Sequence, residues 1–344
     1  MSSVKPNDLL LIVDSSNFGG IEAHVLQLSL AMRLQSVHVT AVLLDSYSDN
    51  PLIQKLKEHQ VDYLCLKQMF PKIPFWKRLH QLMMERCPKA IHSHGYKANL
   101  LCRWTQLRWP NNSIAYVASF HAGETPKGRV RLYDMLDRYT AFLSDNNICV
   151  SKRIQEKLPC HSSVVRNFVS MPTDLQVNDK QIAFVGRLSH EKAPDRFIQL
   201  AAKLPSVAFH IYGSGPMEQE IKQSAPPNVF LHGHQSDMTQ VWSNIEMLVM
   251  PSRYEGLPMA ALEAMSRKIP VLSSPVGEMP SLIQHDINGW IAKSDAELKD
   301  YVEYWCSLNK VDKEAIKSHA HATIEQHYSA EAVLPNFLSA YQFL

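Results

Sequence analysis

The sequence predicts an α/β protein built as two doubly wound parallel-sheet domains in series. Three observations carry this. The chain has 344 residues, long for one hydrophobic core and natural for two domains of roughly 150–200 residues. Short runs of branched apolar residues alternate with helix-like stretches, the signature of βαβ units. That alternation stops at a polar stretch, 169–180 (VSMPTDLQVNDK), and then restarts.

The first strand is expected at 9–13 (LLLIV), continuously apolar as a strand buried on both faces must be. A loop with Gly19 and Gly20 follows, then a helix over 21–33 with apolar Val25, Leu26, Leu28 and Met32. Further strands are expected at 37–44, 63–66, 90–94, 115–120 and 147–150, with a helix over 51–59. After the polar stretch, strands are expected at 181–186, 208–212, 229–232, 247–250 and 271–273, with a helix over 194–203. The predicted domains are therefore 1–168 and 181–328, joined by a linker at 169–180. A last helix at 329–344 returns toward the first domain. Ligands in such sheets bind at the carboxyl ends of the strands.

Composition narrows the class. Hydrophobic residues at 45% and charged residues at 20% exclude a disordered chain. The net charge of +2 conceals an asymmetry: residues 1–173 carry +8 and residues 174–344 carry −6. A basic half points to an anionic partner. The six cysteines form no C-x-x-C pair and no zinc-ligand spacing with histidine, so a reducing cytoplasmic setting is expected. The start of the chain is polar, without the apolar core of a signal peptide. No window reaches the ~18 apolar residues of a span, so membrane contact is expected to be peripheral only.

The segment 251–265 (PSRYEGLPMAALEAM) is the richest in chemistry. A buried strand feeds a tight loop, and the loop feeds a helix starting near Pro258, where proline suits the first turn. Its N-terminus offers unpaired N–H groups and the positive end of a dipole, a ready site for a diphosphate. Glu255 precedes the helix and Glu263 lies within it. Carboxylates accept hydrogen bonds from paired sugar hydroxyls; alternatively Glu255 caps the helix and Glu263 is solvated.

The run resembles the E-x7-E segment of family-4 retaining glycosyltransferases, whose GT-B fold sets two Rossmann-like domains about a central cleft. Other segments resemble that family in the expected order. They are Phe184 to Lys192 (FVGRLSHEK), His210 to Pro216 (HIYGSGP), Val229 to Gly233, Pro270 to Gly277, Asn288 to Ile291 and, near the start, Gly19-Gly20-Ile21-Glu22. The resemblance is dense over 182–292 and patchier before it.

It implies roles. Arg187 and Lys192 would hold the donor diphosphate, as two cations at a strand end can; the other reading pairs them with Glu191. Glu255 would bind a hydroxyl of the transferred sugar and Glu263 the ribose. Backbone N–H groups of Gly256, Leu257, Pro258 and Met259 (proline excepted) would meet phosphate, with Gly213 also on the donor. Gly19 and Gly20 would let the first domain's backbone approach a substrate closely. His121, after the apolar run 116–120, would sit at the reacting centre. His94 would lie on the acceptor side, although His92 and His94 could equally pack under the sheet. No cofactor and no metal are implied: the sequence has no D-x-D, and the departing phosphate would itself help deprotonate the acceptor. The donor would be a UDP-, GDP- or ADP-sugar, and the setting bacterial cell-surface polysaccharide or lipopolysaccharide assembly.

Three residues depart from the family pattern: Lys268 where glycine is frequent, Ser281 where glutamate is, and Phe168 after Asn167 where glycine is. The acceptor is expected on the basic half. Residues 67–86 mix Phe70, Phe75 and Trp76 with Lys72, Lys77 and Arg78. Arg103, Trp104, Arg108, Trp109, Lys127, Arg129, Arg131 and Arg138 continue the pattern. Basic residues among aromatics suit an anionic inner-membrane surface and a glycan or lipid-linked acceptor, or else a solvated helix face with its aromatics on the core. Rival readings are a sugar-nucleotide epimerase of similar fold and a non-catalytic nucleotide-binding protein. A nucleic-acid binder gives no reason for Arg187, Lys192, Glu255 and Glu263 in series. A nicotinamide enzyme lacks its G-x-G-x-x-G in the first loop.

Overall fold

The computed structural model describes residues 8–16, 19–46, 50–121, 129–173, 175, 181–235 and 237–343. The chain divides into two units, Met1–Ser170 with Ala330–Leu344, and Met171–Ser329. Residues 174 and 176–180 of the expected linker, and Lys127, lie outside the described residues.

The first unit holds strands β1 (Asp8–Val13), β2 (His38–Leu43), β3 (Asp62–Cys65), β4 (Ala90–His94), β5 (Ala115–Phe120), β6 (Asn146–Cys149) and β7 (Ser163–Val164). They form one parallel sheet in the order β3-β2-β1-β4-β5-β6-β7. Side chains alternate across a strand, and β1 shows why its run is apolar throughout. Leu9, Leu11 and Val13 enter one core cluster while Leu10 and Ile12 enter another. The last helix, Ala330–Ala340, packs on the first of these faces, where Phe337 and Tyr341 join Val165 and Phe168.

The second unit holds β8 (Gln181–Val185), β9 (Phe209–Tyr212), β10 (Val229–Gly233), β11 (Ile245–Met250), β12 (Val271–Ser273) and β13 (Gly289–Ile291). They form a parallel sheet in the order β10-β9-β8-β11-β12-β13. Its core gathers Phe184, Phe197, Phe209, Trp290 and Trp305.

In each sheet the strand order reverses once, between β1 and β4 and between β8 and β11. Loops leaving the carboxyl ends of such a pair turn to opposite faces and leave a crevice for a ligand. Two short edge strands, β7 and β13, were not expected. The helix expected at Pro258 begins one residue later, spanning Met259–Ser266, because Pro258 keeps an extended backbone as its cap.

Candidate active site

In the second unit the crevice is bounded by the 186–193 loop after β8 and the 251–258 loop after β11. The two loops are tied together. The backbone N–H of Arg253 donates to the Glu191 carbonyl at 2.8 Å and its guanidinium to the His190 carbonyl at 3.0 Å. Arg253 also grips the Asp195 carboxylate, at 2.8 and 2.5 Å, and holds it below the usual carboxylate range. Arg196 donates to the Pro251 carbonyl at 2.8 Å and pairs with Asp295.

Across this junction the Lys192 ammonium lies 2.7 Å from both oxygens of Glu255, and the Ser252 hydroxyl donates to the same carboxylate at 2.8 Å. The Glu255 side chain is 5% exposed and that of Lys192 27%. Lys192 therefore pairs with Glu255, not with Glu191. Arg187 is exposed and makes no ion pair among the described residues. Glu263 is half-buried in the Met259–Ser266 helix, its carbonyl accepting from Arg267 at 3.0 Å. Met259 and Ala260 open that helix, and their N–H groups find no backbone acceptor among the described residues, the expected state of a helix start.

The glycines separate by role. A Cβ on Gly213, at φ +143°, would lie 1.9 Å from the Gly186 carbonyl oxygen. Its bareness is accounted for by packing of the β8 and β9 loops, a reason the sequence did not give. Gly256 differs: a Cβ there meets nothing within 4 Å. The same is true of Gly20 in the first unit, while at Gly19 it would stand 3.3 Å from the Glu22 carboxylate. That carboxylate accepts from the Gly19 N–H at 2.9 Å and caps the Gly20–Leu34 helix.

The first unit's crevice is lined by histidine. His94 ends β4 and His121 follows β5, and the two share a hydrogen bond, Nδ1 to Nε2, of 3.1 Å. Buried His24 stands 5.1 Å from His121 and 5.6 Å from His94, ring centre to ring centre. His92 is held by the Tyr341 hydroxyl and the Ser119 hydroxyl, each at 2.7 Å. So His94 lines the crevice while His92 packs beneath the last helix. Burial drives the pKa of His24, His92 and His94 well below the ordinary imidazole value, with their mutual proximity adding to it, and brings His121 down to about 4. All four are neutral at pH 7. A cavity of about 190 Å³ opens here, lined by His94, His121, Tyr96, Lys97, Asp134 and Arg138 among others.

One nitrogen from each of His24, His94 and His121 lies within 4.8 Å of the others, the one such group among the described residues. Nitrogens on a tetrahedral zinc stand about 3.3 Å apart at bond lengths of about 2.0–2.1 Å, a spacing that the His94–His121 contact of 3.1 Å is close to.

Two adjoining family models account for both units. "Glycosyltransferase Family 4" matches residues 18–169 and "Glycosyl transferases group 1" matches residues 167–321. The chain is a glycosyltransferase. It is 28% identical over 291 residues to the O-antigen biosynthesis glycosyltransferase WbnH of Escherichia coli, covering 80% of this chain and 82% of WbnH. It is 23% identical over 274 residues to the UDP-Gal:alpha-D-GlcNAc-diphosphoundecaprenol alpha-1,3-galactosyltransferase of Escherichia coli, covering 69% of this chain and 70% of the relative. In fold the glycosyltransferase is similar to Anabaena Alr3699/HepE in complex with UDP-glucose, with a TM-score of 0.81 at 17% identity over 98% of this chain and 100% of that one. That likeness places it in the GT-B architecture of two Rossmann-like units.

Several residues of this glycosyltransferase escaped sequence reasoning. Ser252 holds Glu255, and Gly277, at φ +58°, admits the Glu255–Gly256 backbone, whose oxygens would stand 2.3 and 2.4 Å from a Cβ. His24 follows Glu22 by two residues in the same helix as the Gly19-Gly20 pair, which was the available signal. The departures from the family pattern also acquire reasons. Lys268 takes φ +61°, the left-handed backbone that glycine favours. Phe168 is fully buried against His24 and Phe337. Nothing in the structure explains Ser281.

Proposed function

We propose that the enzyme moves a sugar, with retention at the anomeric carbon and without a metal ion, from a nucleotide-diphosphate donor to a glycan or lipid-linked acceptor. The setting is assembly of bacterial cell-surface polysaccharide or lipopolysaccharide, on the cytoplasmic side and in peripheral contact with the membrane. WbnH and the diphosphoundecaprenol-directed galactosyltransferase support the setting. No described helix is long and apolar enough to cross a membrane.

The observation that carries the reading is the Lys192–Glu255 pair at the β8/β11 crevice, beside Arg187 and the start of the Met259–Ser266 helix. A donor brings both a polyanion and a set of hydroxyls. Its diphosphate takes Lys192 and Arg187, and the freed Glu255 carboxylate takes the sugar hydroxyls. The helix start, Gly256 and Met259 supply N–H donors to phosphate, and Glu263 takes the ribose. Fixed donors aimed at the oxygen that gains charge as the bond breaks stabilise the leaving group without reorganisation. The leaving phosphate oxygen receives the acceptor's proton. His121, neutral at pH 7, offers a hydrogen bond to the reacting sugar instead of a charge.

The test is thermal stabilisation by a panel of nucleotides and nucleotide sugars with EDTA present. A ligand that binds only the folded state adds about 2.7 kcal/mol at a hundredfold excess over its Kd. One UDP-, GDP- or ADP-sugar is expected to stabilise the wild type and not Arg187→Ala. Turnover with that donor should be unchanged by EDTA; a loss restored by a divalent ion would turn attention to His24, His94 and His121. Stabilisation with turnover of the donor but no acceptor requirement would identify an epimerase instead.

A further inference from the structure

Of the nineteen exposed large hydrophobic side chains among the described residues, thirteen fall between Met69 and Phe142. Most of them sit on three helices packed side by side, Phe75–Arg86, Tyr96–Arg108 and Arg129–Tyr139, and exposed apolar side chains gathered in this way mark a binding face. Part of it is concave. A groove of about 560 Å³ is lined by Phe75, Trp76, Leu100, Leu101, Trp104 and Tyr133, with Lys97 at its margin. That volume lies in the range of built ligand sites. Phe75, Trp76 and Trp104 are 44%, 53% and 51% exposed, so they wall the groove without filling the core.

The groove does not stand alone. Lys97 lines both it and the His94–His121 cavity. Tyr96 of the cavity stacks on Tyr133 of the groove at 5.8 Å and 17°. Lys97, ion-paired with the Asp14 carboxylate at 2.5 Å, is the single charged residue that lines the groove among the described residues. A ligand occupying both spaces has a hydrocarbon tail, an anionic junction and a polar head.

We propose that the groove holds the hydrocarbon chain of a lipid phosphate acceptor, with its phosphate beside Lys97 and its hydroxyl-bearing head in the His94–His121 cavity. The assignment rests on the transferase reading above and narrows its acceptor to the lipid-linked class. An apolar groove that adjoins a polar cavity through Lys97 suits a chain together with its head group, whereas the bilayer surface itself would need no polar cavity at the end of the patch.

The test is calorimetric titration with alkyl phosphates of six, eight and ten carbons, used below their micelle concentrations and without nucleotide sugar. Each buried methylene tightens binding about fourfold, roughly 200-fold for four at full burial. Decyl phosphate is expected to bind at least tenfold more tightly than hexyl phosphate, and Trp104→Ala and Phe75→Ser to flatten that gradient while melting as the wild type does. If one variant fails to fold, the other decides. Affinity independent of chain length, or a gradient intact in the folded variants, overturns the proposal. So does loss of anionic-vesicle binding in the variants with no chain-length gradient, which would assign the patch to the bilayer. In a separate turnover assay with the donor and a lipid phosphate that carries a sugar head, absent transfer beside an intact gradient would sink the transferase acceptor reading and keep the groove, and transfer beside no gradient would do the reverse.

Discussion

Lys192 and Glu255 sit 63 residues apart in sequence and complete each other's charge. Neither residue type nor spacing declared the pair. With 5% of the Glu255 side chain exposed, removal of Lys192 strands a mostly buried carboxylate, which costs far more than an exposed pair contributes. Lys192→Ala is expected to destabilise the second unit by about 1–3 kcal/mol and to cut kcat about 10²–10³-fold if the ammonium also holds the leaving phosphate. A double variant with Glu255→Gln should melt above the level that the two single variants add up to; strict additivity in melting and in turnover would deny the coupling. Gly213 and Gly256 give a second contrast at this scale. Gly213→Ala drives a methyl into the Gly186 carbonyl and is expected to cost more than about 2 kcal/mol. Gly256→Ala meets open space, so its melting temperature should hold while donor affinity falls. Calorimetric melts with and without nucleotide distinguish the two.

At the scale of elements, the parallel strands were legible because burial on both faces demands unbroken apolar runs, as in β1. The two edge strands were not: β7 has two residues and β13 three, too short for a period. The ends of β4 and β5 were half legible. His94 and His121 stood out as strand-terminal histidines, but His24 arrives from a helix packed across them, and no local pattern announces that. The cluster makes stability depend on pH with a definite sign. These histidines have folded pKa values below the unfolded value of about 6.5, so the neutral form's contribution is fully present above pH 6.5. It is lost as the pH falls through the folded values, about 4 for His121. Each adds a slope of up to about 1.4 kcal/mol per pH unit in that window. The melting temperature of the first unit is expected to drop steeply between pH 6.5 and 4, and His24→Phe should shallow that slope; an unchanged slope would remove His24 from the linkage.

For the whole molecule, the chain leaves the first unit at Ser170 and returns at Ala330. The returning helix places Phe337, fully buried, against Phe168 and His24, and sets Tyr341 on His92. The first unit's core and its histidine crevice thus depend on the last fifteen residues. Phe337→Ala is expected to cost about 3–5 kcal/mol in the first unit's transition. Nucleotide should still raise the second unit's transition in that variant. A scan in which both transitions fall together would show that the units melt as one.

The sequence by itself determined the fold class, the two sheets and the strand, loop and helix start around the 251–265 segment. Continuous apolar runs, glycine-bearing loops and a proline-led helix start are local constraints that a few adjacent residues satisfy. Only the tertiary structure decided which charges meet, which histidines share a hydrogen bond and which glycines have no room for a Cβ. Those outcomes depend on strand order: β8 lies beside β11, and β1 beside β4, although other strands separate them in the chain. Loops distant in sequence are brought within hydrogen-bonding reach by the sheet, and the sheet's order is a property of the whole core.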